Sequence, residues 1–251
     1  MKKIILISIL AVLIAGIVVL LIGVPVSAAS VDGAPAPGYA ARLTAGLRAR
    51  FTNGRAEIER AMLAKKNATS FRMTTTLRLH PGQPLETVTE VSCPDRERFT
   101  GTIGEQAFHA IRVGSNAYAE QKDGQWAVQQ TAPTGWAPCG ENPGEPAPWA
   151  IMNEGRDLTT VLAKMSENSE ITRGQFLGTS TGACQEWIFN LTHPGGSAHA
   201  HPGGSGGAGL HYTVCIDPNT HLPLRVVFGS GSMITTYSDW NKPVQIEEPK
   251  I

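Results

Sequence analysis

From Phe71 to His80 the chain alternates without a break, with Phe71, Met73, Thr75, Leu77 and Leu79 set against Arg72, Thr74, Thr76, Arg78 and His80. That is the period of a strand with one buried face, and Pro81-Gly82 ends it. Further short strands are expected at 85–92, 97–103, 106–113, 116–122 and 125–130, and again at 173–180, 184–192, 209–216, 222–229 and 232–238. Asp123-Gly124 marks a tight hairpin, and Asp217-Pro218-Asn219-Thr220 a second turn. Regular strand–helix alternation is missing, which excludes a doubly wound parallel sheet or a barrel of helices. The solution left is mainly β with helices (α+β): one strongly curved antiparallel sheet of about ten strands, its concave side covered by helical segments.

Two stretches carry the helical period. Tyr39, Leu43, Leu47 and Phe51 recur every fourth residue, and Ile58 and Met62 follow after Asn53-Gly54. This predicts one interrupted helix or two in succession, with an apolar stripe toward the core. A second amphipathic helix is expected from about Pro148 to Met165, after the proline-rich stretch 133–148.

Lys2 and Lys3 precede an uncharged apolar run of 23 residues, Ile4 to Val26, closing on Val26-Ser27-Ala28. This is the pattern of an export leader, and the run also reaches the length of about 20 residues that spans a bilayer. Residues 1–28 therefore read either as a signal peptide cleaved near Ala28 or as an N-terminal transmembrane anchor. In the first case the protein is soluble in the periplasm or envelope, in the second it is tied to the inner membrane through residues 4–26. Residues 29–38 read as a flexible linker and 39–251 as one folded domain. Residues 29–251 hold 19 basic and 21 acidic side chains, and without a basic block there is no footing for nucleic acid.

Four cysteines in an exported chain point to two disulfides. Three pairings are open. Cys184–Cys215 is favoured because their strands are expected to be hairpin neighbours, which leaves Cys93–Cys139.

Four segments together resemble the LolA/LolB superfamily of periplasmic lipoprotein carriers, which includes the LppX-type lipid-binding lipoproteins and RseB-like sensors. They are the helix running into Ser70-Phe71-Arg72-Met73, the ribbon from Asn116 to Trp126, the stretch Tyr212 to Arg225, and the closing Thr236 to Pro249. The resemblance implies an incomplete β-barrel closed by helices around an apolar core or cavity, and a binding protein rather than an enzyme. Its implied partner is a lipid or an acylated protein, with no cofactor. The alternative on the same fold is a membrane-tethered sensor or protein-interaction module without transport activity. The residues expected to line the cavity are Phe71, Met73, Leu77, Val88, Trp187, Phe189, Val226 and Phe228.

Other features are weaker. Residues 193–211 hold His193, His199, His201 and His211 among seven glycines in nineteen residues. Imidazoles suit transition metals, but so many glycines make a preformed site costly in entropy, and the stretch reads as a hairpin insertion. No GxSxG, HExxH or phosphate-cradling glycine loop occurs. Trp240 is expected either to seal one end of the core or to form a lip at a cavity mouth.

Overall fold

A computed structural model describes residues 28–31, 33–80, 83–103, 106–131, 170–191 and 210–251. The expected helix 148–165, the proline-rich stretch, Cys139 and most of the histidine–glycine stretch lie outside these residues, as do residues 1–27 of the leader. Among the described residues no helix is long and apolar enough to cross a membrane.

The helical stripe resolves into α1 (Tyr39–Arg50) and α2 (Gly54–Lys66). The break falls at Asn53, whose side chain accepts from the Ala56 amide and caps α2, as asparagine does well at a helix start. Glu57 in the first turn of α2 and Lys65 and Lys66 in its last complement the helix dipole.

Twelve strands form among the described residues: β1 (Ala28–Ser30), β2 (Ser70–His80), β3 (Gln83–Ser92), β4 (Arg96–Ile103), β5 (Gln106–Val113), β6 (Asn116–Glu120) and β7 (Trp126–Thr131), then β8 (Ile171–Thr179), β9 (Gly182–Leu191), β10 (Leu210–Ile216), β11 (Pro223–Phe228) and β12 (Met233–Ser238). They form one open curved sheet in the order β1-β8-β9-β10-β11-β12-β2-β3-β4-β5-β6-β7. It consists of two antiparallel meanders, β2–β7 and β8–β12, joined where β12 pairs with β2.

Two expectations change here. Among the described residues the sheet has twelve strands rather than ten or eleven, and it is mixed, because β1 runs parallel to β8, with Ala28 opposite Phe176 and Ser30 opposite Gly178. A three-residue strand leaves no periodicity to read, so this segment looked like linker. Its docking is close. The Val31 amide donates to the Gly178 carbonyl at 3.0 Å, and a Cβ on Gly178 would meet the Pro35 carbonyl oxygen at 2.3 Å. Cys184 and Cys215 are bonded across the β9–β10 pair, as the neighbouring strands predicted, and Ala29 and Val31 pack against the small cluster around that bridge. Cys93 is also disulfide-bonded.

The end of the chain is laid across the other meander. Arg96 Nη1 donates to the Ile246 carbonyl at 2.6 Å and Arg98 Nη2 to the Gln245 carbonyl at 3.0 Å. The Tyr118 hydroxyl donates to Glu248, and Ile246 is buried.

The Gly178 contact can be tested. Gly178→Ala should drive β1 and Pro35 away from β8 at a cost of about 1–3 kcal/mol, the usual range for overpacking. Thermal unfolding reads this as a midpoint lowered by several degrees, with faster amide exchange at Val31.

Candidate functional site

Residues directly opposite each other in neighbouring strands share a face of the sheet, so the register sorts the interior into rows. The first runs Phe189, Tyr212, Phe228, Met233, Leu77, Leu85 across six strands. Phe189 and Tyr212 stack at 5.5 Å, and Tyr212 meets Phe228 at 4.9 Å. The second runs Trp187, Val214, Val226, Thr235, Thr75, Thr87. The third includes Tyr237, Met73 and Thr89.

The helices lie on the β8–β10 side of this face. A Cβ on Gly54 would meet Ile171 Cγ2 at 2.6 Å and Trp187 Cε3 at 3.0 Å, so only glycine lets α2 begin there. Ala49 of α1 and Ile58, Ala61 and Met62 of α2 join the same cluster as Phe71, Trp187, Val214 and Tyr237. Polar contacts hold the pair in place. The Glu57 carboxylate, buried, lies 2.6 Å from His221 Nδ1 and 3.1 Å from Arg60 Nη1. Arg173 Nη1 donates to the Gly46 carbonyl at 3.3 Å, and Arg48 to the Pro218 carbonyl.

The expected apolar stripe of α1 is not its buried face. Ala45, Gly46 and Ala49 face inward, while Tyr39 is 62% and Phe51 79% exposed, and Leu43 and Leu47 are half-buried. Small side chains bring the helix backbone close enough to the sheet for Arg173 to reach Gly46, a contact that the row of large residues would prevent.

Of the residues expected to line a cavity, Phe71, Met73, Trp187, Phe189 and Val226 are buried in one cluster, and Phe228 packs against it. Leu77 is half-buried on the same face, between Met233 and Leu85. Val88 stands on the opposite face, across from Thr74 and Thr100, because Leu85, Thr87, Thr89 and Val91 take the inward positions of β3. His211 lies on β10 with Nδ1 3.0 Å from Asn190 Oδ1, whereas His193, His199 and His201 lie outside the described residues. Trp240 packs at the edge of the cluster, its ring 4.9 Å from Phe71 and 5.5 Å from Tyr237, which are themselves 6.2 Å apart.

Sequence reasoning passed over the polar groups of this interior. Thr75 and Thr235 are buried and share a hydrogen bond of 3.0 Å. Thr87 Oγ1, the Trp187 indole Nε1, the Tyr237 hydroxyl and the Trp240 Nε1 are buried with no hydrogen-bond partner among the described residues. Each such group costs about 1–3 kcal/mol when left unmade; the four stand on β9, on β12, on β3 and just beyond β12. The inward alternation of β2 and β3 was visible as threonines; that their hydroxyls go unpaired needs the register. Burial also pushes the Tyr212 hydroxyl above its ordinary pKa. Farther along, Arg112 is buried opposite Glu97, and burial holds the guanidinium below its usual value while Glu97 opposes that shift.

No family model and no curated protein matches the chain. Solved structures do. LprF from Mycobacterium bovis matches at 16% identity and a TM-score of 0.49, covering 78% of this chain and 96% of that one. The lipoprotein LppX from Mycobacterium tuberculosis matches at 18% and 0.45, covering 77% and 98%. The MucA/MucB complex of Pseudomonas aeruginosa matches at 12% and 0.40, covering 78% of this chain and 59% of that one.

Thr87→Val and Tyr237→Phe each remove one unpaired hydroxyl with little change of shape. Both should leave the ligand-free protein as stable as before or raise its stability by up to about 1–3 kcal/mol, measured by denaturant unfolding. A loss of more than that would show the hydroxyls to be paired in solution.

Proposed function

We propose that this chain is an exported envelope protein that holds an acyl chain, of a lipid or of an acylated protein, along the inner face of its sheet. The observation that carries the reading is the combination found there: rows of aromatic and aliphatic side chains with the buried donors of Trp187, Tyr237 and Thr87 among them. An acyl ester fits this chemistry. Its methylenes gain about 0.8 kcal/mol each on leaving water, roughly 10 kcal/mol gross for sixteen carbons before ordering costs. Its carbonyl oxygens accept from the unpaired donors. A purely aliphatic core would have no use for those groups.

The row from Phe189 to Leu85 crosses six strands, roughly 24 Å at 4.7–4.9 Å per spacing. That matches the length of a long chain lying across the strands, Leu77 and Leu85 being at the end away from β8. Export is supported by the leader pattern and by the Cys184–Cys215 bridge, since such bridges persist in oxidising compartments. The role is binding and transfer, with no bond made or broken, and the cysteines serve the fold.

The experiment is native mass spectrometry of the purified chain with lipid extraction. Bound acyl species near one per chain are expected, and Tyr237→Phe and Trp187→Phe should retain less of them than the wild type. A clean ligand-free mass, with no uptake when lipids are offered, would turn the reading to the sensor or interaction module.

A further inference from the structure

The helix pair is the one strongly basic part of this chain. Residues 39–66 carry seven basic side chains against two acidic, while the rest of residues 29–251 carries twelve basic against nineteen acidic. A formal charge of −2 over residues 29–251 therefore hides a separation of about five positive charges from seven negative ones. The same helices display the large apolar side chains that the core rejected. Of the five large hydrophobic residues that stand exposed among the described residues, Tyr39, Phe51 and Leu63 are on this hairpin, at 62%, 79% and 59%; the other two are Val128 and Ile251. Exposed aromatic and aliphatic groups beside arginines and lysines suit the boundary between lipid headgroups and acyl chains.

We infer that the outer side of α1 and α2 is a docking surface for a bilayer with anionic headgroups. Basic side chains near such a surface are drawn to its negative potential, and Tyr39 and Phe51 are suited to the headgroup boundary. The placement of the N-terminal segment favours a membrane over an acidic protein. The apolar run 4–26 ends two residues before Ala28, and β1 pairs with β8, the strand on which both helices pack. Two residues reach at most roughly 7 Å. Any chain still held by that run has this edge of the sheet at the lipid surface, with the basic helices beside it. The docking does not rest on the acyl-chain reading, since a protein with an empty or solid interior would dock in the same way.

Hydroxyl-radical footprinting of the full chain in lipid nanodiscs tests this, with phosphatidylcholine alone or mixed equally with phosphatidylglycerol. Tyr39, Phe51 and Leu63 should be oxidised several-fold more slowly in the mixed discs, with Val128 and Ile251 unchanged as internal controls. Arg50→Glu, at an exposed position, should restore much of the oxidation in mixed discs, with circular dichroism showing the fold intact. Equal oxidation of Tyr39, Phe51 and Leu63 in the two discs overturns the inference. So does protection that a polyglutamate peptide reproduces in phosphatidylcholine discs, which would assign the surface to an acidic protein. Lipid extraction from the same sample reports the cavity reading separately.

Discussion

The pairing of β12 with β2 holds the architecture together. It sets Met233 against Leu77, Thr235 against Thr75 and Tyr237 against Met73, and so turns two local meanders into one sheet with continuous rows across it. The hydrogen bond between Thr75 and Thr235 lies at its centre, between residues 160 apart in sequence. Because side chains alternate with a period of two, a slip of one residue at this seam would turn every row on one side to the other face. Trp240 and Asn241, just beyond β12, reinforce the register. The indole stacks on Tyr237 and meets Phe71, and Asn241 accepts from the Thr69 amide at 2.8 Å while its own amide donates to the Ser70 carbonyl at 2.8 Å.

The helices answer a different constraint. An open sheet of this size exposes an apolar face, and only part of it lies under α1 and α2. They approach through small residues, Ala45, Gly46, Ala49, Gly54 and Ala61, and are fixed by Glu57–His221 and Arg173–Gly46. Close approach leaves no room for the leucines and aromatics of α1. The basic and apolar outer surface is thus a by-product of tight docking, and the same choice of residues serves both sides of the helix.

Much of the sheet was legible in the sequence, since alternation and turn residues are local signals. β5 falls on the expected 106–113, and β9 to β12 lie within a residue or two of expectation. β1 escaped because three residues carry no period and its partner β8 is far along the chain. Facing was less legible than position. Val88 looks like a core residue by composition, but the threonines and leucine beside it hold the inward places. On α1 the period was right and the face was wrong, because a four-residue repeat of large residues does not report how near the helix must come. The unpaired hydroxyls and indoles were beyond reach, as they depend on what lies opposite them across strands distant in sequence.

The seam also dictates an order of events. A polypeptide is made from its N-terminus, and β1 meets its partner β8, and β2 the second of its two neighbours, β12, only in the last third of the chain. The first half can close its own hairpins from β2 to β7, but Phe71, Met73 and Leu77 have no neighbouring strand on one side until residues 233–238 have been delivered. Such distant closures are slow steps. A nascent molecule of this kind therefore carries an open, apolar strand edge for most of its synthesis, and it is in that interval, before the last strand arrives, that chaperones would find it most in need of cover.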